Sequence, residues 1–323
     1  MDKKLDRRWI IASVSTLLVI IVLLVFYWSN EPDTFDVRQS PNASSVTGAT
    51  LTATLVKVGS SLLDKPGGYL SNDVIPPSVF MDDMPSWEFG ALEMVRDLTL
   101  AMRKDFSRSQ SQSIENAALA KAQPPLNTSH RDWILPSAES KYREGFDAIN
   151  DYLLDLQDPN RGDAQFYARA DNLREWLKQV EKRLGSLSQR LSASVGQERI
   201  NTDLAGDPDA RQSTPSSGRL QVKTSWWMLD NYFYEARGAS WALLHFLKAV
   251  EIDFADVLEN KNATVSLQQI IRELEATQQT IWSPMILNGS GFGVLANHSL
   301  VMANYISRAN AAIIDLSELL ARG

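Results

Sequence analysis

The chain has 323 residues with 32 Lys and Arg against 39 Asp and Glu, a net charge of −7, and no cysteine. The missing thiols exclude disulfides, thiolate metal sites and cysteine nucleophiles together, and an acidic balance argues against nucleic acid, whose phosphates need clustered cations. Nearly 300 residues follow the first apolar stretch, enough for an ordinary hydrophobic core in one large domain or two small ones.

Ile10 to Trp28 is a run of 19 residues without a charge, a proline or a glycine, and 13 of them are Ile, Leu, Val or Phe. As a helix it reaches about 28 Å, which matches a hydrocarbon core of about 30 Å. The sequence therefore predicts a membrane span whose first partner is the lipid bilayer through residues 10–28. Lys3, Lys4, Arg7 and Arg8 precede it and Glu31, Asp33 and Asp36 follow it, so residues 1–9 are expected as a cytoplasmic tail and residues 29–323 on the far side. Trp9, Tyr27 and Trp28 stand where interfacial aromatic belts form, and the bulky run Val25-Phe26-Tyr27-Trp28 lacks the small residues of a signal cleavage site, which predicts an uncleaved anchor. Setting aside the four basic and two acidic residues before the span leaves 28 basic and 37 acidic residues, net −9, beyond it.

Residues 29–46 contain Pro32, Pro41 and a Ser/Asn cluster, too few apolar side chains to pack alone, and are expected as a tether. Leu51, Leu55, Val58 and Leu62 follow three-four spacing and predict a helix over 47–63, although the Thr-rich alternation at 50–58 also suits a strand. Asp64-Lys65-Pro66-Gly67-Gly68 ends it, and an extended stretch runs to Pro85. A helix then carries Trp87, Gly90, Ala91, Met94, Leu98 and Ala101 on one face, followed by a short helix over 114–122 closed by Pro124-Pro125. Ser137 is the expected N-cap of a helix to Gln157 with Tyr142, Phe146, Ile149, Leu153 and Leu156 on its seam.

Asp158-Pro159-Asn160-Arg161-Gly162 reads as a turn. Beyond it Phe166, Ala170, Leu173, Leu177, Val180, Leu184, Leu187 and Leu191 form a heptad seam over 163–195. The short turn predicts a long antiparallel hairpin between these two helices. The second is longer by about 13 residues, or nearly 20 Å, so Leu184, Leu187 and Leu191 need a further partner, in this chain or another protein.

Residues 199–219, rich in Gly, Pro, Ser and Asp, are expected as a mobile loop joining possible lobes 47–198 and 220–323. A long helix is predicted over 225–258. The next has Ser266 and Gln269 as a capping box with Val265 and Ile270 as its hydrophobic staple, and Trp282-Ser283-Pro284 ends it. Asn288 to Gly293 is a turn or loop, and a last helix carries Leu300, Ile306, Ile313, Leu316 and Leu320. The fold class is all-α: one N-terminal transmembrane helix, then a bundle of seven or eight helices containing the long hairpin and no sheet.

Three strings, Asp64-Lys65-Pro66-Gly67-Gly68-Tyr69-Leu70-Ser71-Asn72-Asp73, Met84-Pro85-Ser86-Trp87-Glu88-Phe89-Gly90 and Arg103-Lys104-Asp105-Phe106-Ser107-Arg108-Ser109-Gln110-Ser111-Gln112, resemble a family of Gram-negative inner-membrane proteins catalogued as domain of unknown function 2333. The resemblance covers the whole chain, anchor included, and implies a bacterial inner-membrane protein with a periplasmic domain. It brings no activity, cofactor or catalytic residue. In a bacterial chain the Asn-x-Ser/Thr triplets at Asn42, Asn127, Asn262, Asn288 and Asn297 carry no meaning; only a secretory-pathway origin would make them glycosylation sites.

Chemical signatures are sparse. The chain has no Gly-x-Ser-x-Gly, Ser-x-x-Lys, His-Glu-x-x-His or Gly-x-x-x-x-Gly-Lys-Ser/Thr, so the common serine hydrolases, penicillin-binding enzymes, zincins and P-loop enzymes have no support. His130, His245 and His298 are the three histidines, none paired at helical spacing, and no catalytic, cofactor or metal residue is assigned. The loop Gly289 to Gly293 reads as a flexible connector, or as an anion cradle at the following helix start.

The densest aromatic region, from Trp226 to Phe246, holds two helical stripes. Leu229, Phe233, Ala236, Ser240, Leu243, Leu247, Val250, Phe254 and Val257 form an apolar face, and beside it lie Asp230, Tyr234, Arg237, Trp241, His245 and Lys248. The second stripe is either a partly solvated flank of the core or a polar and aromatic recognition face for a lipid headgroup, a glycan or a peptide. Two functional readings follow. One is a non-enzymatic membrane-anchored scaffold or adaptor of the cell envelope, with an envelope protein or a second copy bound through its helical seams. The other is a periplasmic hydrolase or glycan-processing enzyme using carboxylates scattered along the chain, which leave no linear motif.

Overall fold

The computed structural model describes residues 7–39, 46–110, 112–158, 160, 164–200, 219–283, 285–290 and 293–322. Among them are ten α-helices and one two-stranded ribbon. Helix α1 (Arg7–Trp28) is the apolar span, long and hydrophobic enough to cross a membrane. The rest is a helical bundle: α2 (Ala49–Asp64), α3 (Asp83–Ala101) continued by a π-helical turn Met102–Phe106, α4 (Ala117–Leu126), α5 (Ala138–Gln157), α6 (Ala170–Ser192), α7 (Leu229–Asp253), α8 (Ala255–Asn260), α9 (Thr264–Thr277) and α10 (His298–Ala321). One main apolar core runs from Val37 to Leu320 and draws on both stretches expected as possible lobes.

The Thr-rich start of α2 is a helix because its hydroxyls are satisfied within the helix. Thr52 and Thr54 donate to the carbonyls of Gly48 and Thr50, each at 2.7 Å, which lets both be buried without a partner from another strand. Gly48 has no side chain to cap α2, and the carboxylate of Asp253 at the end of α7 accepts from Leu51 N at 2.7 Å instead. Burial pushes the Asp253 carboxyl up to about 6.

At the centre, α3 crosses α7 on two glycines. A Cβ on Gly90 would lie 1.9 Å from the Glu235 carbonyl oxygen, and one on Gly238 would lie 1.9 Å from that of Trp87. Glycine at both positions lets the backbones touch, a separation no larger residue allows.

The expected hairpin between α5 and α6 does not form. Helix α5 packs on α2 and α4, and the principal partner of α6 is α10. The connection explains this. Residues 164–169 run extended, tied by Tyr167 N to the Phe106 carbonyl and by the Tyr152 hydroxyl to the Gln165 carbonyl at 2.8 Å. Helix α6 therefore begins at Ala170 and is delivered to α10 instead of α5. Ser188 meets Ala303 and Ser307, Gly185 meets Asn310, and Arg174 and Lys178 share a hollow with Glu318 and Arg322, so α6 and α10 are antiparallel. The seam is buried as expected from Leu173 to Leu191; its partner is another helix, because an apolar stripe carries no address.

The long helix expected over 225–258 is broken at Phe254, which is buried against Phe106 and Phe166. The capping box of α9 is also corrected. The helix starts at Thr264, Ser266 lies inside its first turn, and Val265 is exposed rather than stapled. The fully buried Ala263, whose N–H donates to the Leu258 carbonyl, together with Asn262 at φ 51°, makes a tight corner from α8 that sets the start by packing. Caps read correctly at Ser137 and are joined by Asn116 and Asn297, whose side chains accept backbone N–H groups of α4 and α10. Pro124 and Pro125 lie within the last turn of α4. Strands β1 (Gln197–Ile200) and β2 (Arg219–Val222) pair antiparallel where no sheet was expected, and most of the loop expected over 199–219 lies outside the described residues.

Candidate functional site

The stretch after the span is not a free tether over residues 31–37. It lies along α7 on the stripe formed by Tyr234, Arg237, Trp241 and His245. Glu31 pairs with Arg237 at 2.6 Å, the Asp33 carbonyl accepts from Trp241 Nε1 at 3.4 Å, and Phe35 N–H donates to His245 Nε2 at 3.0 Å. Two strap residues advance for each helical turn. Two extended residues cover about 6.6 Å and four helical ones about 6 Å, so an extended segment keeps register with the stripe turn after turn. The polar composition that argued for a tether serves this register, because its alternate groups are the ones that bond, and Val37 then enters the core.

Arg237 is buried and its guanidinium is shared. Besides Glu31 it donates to the carbonyls of Thr277 and Gln279, at 2.8 and 2.9 Å, where α9 ends. One charged group thus joins the strap, α7 and the end of α9. Burial pushes the Glu31 carboxyl above its ordinary range while Arg237 pulls it back.

His245 is 0 % exposed. Its Nδ1 lies 2.7 Å from the Trp241 carbonyl and must carry the proton, since Phe35 N–H occupies Nε2 as an acceptor. Phe35 stacks on this ring with centroids 3.9 Å apart, and the Lys57 ammonium lies 4.1 Å above the Phe35 ring. Burial pulls the imidazole down to about 4, so it is neutral near pH 7.

The two ends of the predicted stripe lie outside the strap. Lys248 pairs with Glu275 at 2.7 Å, and Asp230 stands beside Asp82 and Asp83 at the start of α3. Trp241 is buried between Trp87 and Phe35. Residues of the same chain thus cover the centre of the stripe, which leaves Arg237, Trp241 and His245 buried. Glu31, Phe35 and Val37 escaped the sequence reading; the one available signal was two apolar residues and an acid in a stretch otherwise without packing side chains.

Next to Asp230 is a cleft of about 470 Å³ whose walls include Ser71, Asp82, Phe89, His130, Tyr232 and Glu235. Asp83 follows the lining residue Asp82 in the chain, and burial first, then the charges of Asp230, Asp82 and Glu31, push its carboxyl up to about 7. Glu235 is held by a two-pronged pair with Arg190 at 2.6 Å. His130 packs at a tilt against Phe89, ring centroids 4.7 Å apart, and burial lowers its pKa. His298 lies near Phe233, so the three histidines are spread over separate parts of the bundle.

Two of the strings that carry the family resemblance meet behind this cleft. Glu88, fully buried, accepts from Leu70 N, Ser71 N and the Ser71 hydroxyl at 2.8, 2.8 and 2.6 Å, and pairs with Lys65 at 2.5 Å. Lys65 also donates to the Gly68 carbonyl. This one carboxylate folds the loop after α2 onto α3.

Over residues 3–323 the chain matches the sequence pattern of domain of unknown function 2333, described as an uncharacterized protein conserved in bacteria, and it belongs to that family. Comparisons with curated proteins and with solved structures gave no match.

Proposed function

We propose that this protein is a single-pass, membrane-anchored scaffold or adaptor of the bacterial cell envelope, with its N-terminus in the cytoplasm and its helical domain in the periplasm. The observation that carries this reading is the strap. Glu31 is bound three residues after the end of α1, and Phe35 and Val37 are packed directly after it. A domain held this closely keeps a fixed height and orientation at the bilayer, which suits presenting a surface to other envelope components. The flanking charges, basic before the span and acidic after it, support the orientation.

Protease added to spheroplasts should remove the domain, and protection of the domain in sealed spheroplasts would overturn the topology. Crosslinking in membranes followed by affinity purification should recover an envelope protein or a second copy. Recovery should fall when Glu31→Ala and Phe35→Ala loosen the strap while the domain stays folded. Unchanged recovery from a loosened strap would count against the scaffold reading.

A hydrolase is the second reading, and one observation favours it. Asp82 lines the cleft, Asp83 and Asp230 lie near enough to interact with it, and the Asp83 carboxyl is raised to about 7, the range expected of a general acid or base near neutrality. Its test is hydrolysis of peptidoglycan fragments by the purified chain, abolished by Asp83→Asn without loss of fold.

A further inference from the structure

The nine tryptophans fall into three sets. Trp9 and Trp28 end the span, Trp87, Trp176 and Trp241 are buried in the core, and Trp133 and Trp282 on loops and Trp226 and Trp227 on a 3-10 turn stand exposed. The register of the strap shows where those loops are. Glu31, Asp33 and Phe35 meet α7 at Arg237, Trp241 and His245, so the chain leaves α1 at the level of Arg237 and runs toward the C-terminal end of α7. The N-terminal end of α7 lies the other way, on the side from which the strap arrives. Met228 precedes Arg237 by nine residues, about 14 Å of helix, and Trp226 and Trp227 lie just before it. They therefore belong to the end of α7 from which the strap runs away.

The other loops belong to the same end. Trp28 packs on Gly67, where an added Cβ would lie 2.7 Å from its ring. Asn72, just beyond, donates to the Asp132 carbonyl at 3.1 Å, which holds the exposed Trp133-Ile134-Leu135 beside it. Val79 and Met228 line one cleft, and Phe80 and the Trp226-Trp227 pair are their exposed chain neighbours. Ile281 shares a hollow with Ser29 and Asn30, so Trp282, 92 % exposed, follows directly at the foot of the span. On α1 itself Ile21, Leu24, Val25 and Trp28, which share one side of the helix, are half-buried while most of the span is bare.

We propose that the anchor end of the domain is a second membrane-contact surface, and that the loops bearing Phe80, Ile134, Trp227 and Trp282 rest in the interface of the leaflet from which α1 emerges. The inference relies on α1 crossing the membrane and names a bilayer contact that the span does not make. Exposed tryptophans favour the headgroup boundary, where an apolar ring and a polar N–H are both satisfied. Continuity with the span selects lipid as the occupant, because a surface held at this height meets the bilayer before any soluble partner. Asp73, Asp82 and Asp132 lie in these loops beside the basic Arg131, so the contact is apolar and aromatic and needs no anionic lipid.

The chain has no cysteine, so single ones can be introduced for labelling. The full chain carrying Phe80→Cys, Ile134→Cys, Trp227→Cys or Trp282→Cys is labelled with an environment-sensitive fluorophore and reconstituted in phosphatidylcholine vesicles. Val265→Cys, at the opposite end of α9, reports water, and Val19→Cys reports the span. All six sites but Val265 lie on loops, on short 3-10 turns or on α1, and circular dichroism checks each fold. The four loop positions should show blue-shifted emission roughly halved by brominated acyl chains, as expected of an interfacial depth, with Val265 unaffected. Loop positions that behave like Val265 while Val19 is quenched overturn the second contact and leave the anchor standing. Quenching absent at Val19 overturns both. A blue shift that disappears on dilution into excess lipid also overturns the proposal, since a second copy would then be the occupant.

Discussion

The ring of Phe35 lies flat on the ring of His245, centroids 3.9 Å apart and planes within 18°, and its backbone N–H donates to the same imidazole at Nε2. A residue seven positions beyond the span is thus joined by stacking and by a hydrogen bond to a neutral, buried histidine.

This relationship makes docking of the strap pH-dependent. Burial lowers the folded pKa of His245 from 6.5 to about 4, so the folded state binds fewer protons than the unfolded state between those values. Stability is therefore present above about pH 6.5 and lost as pH falls toward 4, by about 2 kcal/mol at pH 5. Protonated Nε2 could no longer accept from Phe35. Melting of the full chain in detergent from pH 8 to 4 should show this decline, and His245→Gln should flatten it. An equal slope in the variant would assign the effect to other groups.

Arg237 and Glu31 form the buried ion pair above this stack. Removing one member of such a pair costs about 3–5 kcal/mol, and Arg237→Ala should sit at the top of that range because it also strips the carbonyls of Thr277 and Gln279 of their donor. Glu31→Ala should cost less and release the strap, read as new proteolytic cleavage between residues 30 and 38. Cleavage unchanged from the parent would contradict the docking.

The paired glycines of the α3–α7 crossing predict a steep steric response. Gly90→Ala and Gly238→Ala each drive a Cβ to within 1.9 Å of a backbone oxygen and should cost about 1–3 kcal/mol or more through forced separation of the helices. Gly185→Ala is the internal control. Its Cβ meets only the Asn310 side chain at 3.7 Å, and alanine is the better helix former by about 1 kcal/mol. Melting temperatures should fall for the first two and hold or rise for the third.

Asp83 titrates in the opposite sense to His245. Its folded pKa is raised to about 7 from 3.8, so its contribution is fully present below pH 3.8 and lost as pH rises through 7. Three units correspond to at most about 4 kcal/mol, an upper bound because the N-terminus of α3 favours the ionised form. Asp83→Asn should raise the melting temperature at pH 8 and leave it nearly unchanged at pH 4. Equal effects at both pH values would remove Asp83 as the titrating group.

Glu88 and Lys65 test how the loop after α2 is held. Lys65→Met leaves a fully buried carboxylate without its cation and should cost about 3–5 kcal/mol, while adding Glu88→Gln should recover part of it. No recovery in the double variant would show that the loss comes from Lys65 contacts other than the pair.

Several features were legible from residue order alone because each depends on chain-local chemistry. The span follows from an unbroken apolar run, the seams of α5 and α6 from seven-residue spacing, and the Ser137 cap from a hydroxyl next to a helix start. The six residues from Asp230 to Lys248 were visible as one stripe for the same reason, since helical periodicity puts them in line. The failures have a common cause too. The seam of α6 looked like the mate of α5, yet apolar stripes are interchangeable, and the extended 164–169 connection delivered it to α10. The Ser266 box had the right spelling, but a corner packed on Ala263 started α9 three residues earlier.

The strap shows the same division. Residue order made the span and the stripe separately evident, because hydropathy and periodicity are properties of neighbouring residues. That Glu31 would meet Arg237 and Phe35 would meet His245, about 210 positions along the chain, was settled by folding. Contacts between distant segments depend on how every intervening helix turns and packs, and no local pattern encodes that sum. A polar segment short of apolar residues is a tether in isolation; beside a buried arginine, an indole N–H and a neutral imidazole, each spaced one helical turn apart, it becomes part of the domain.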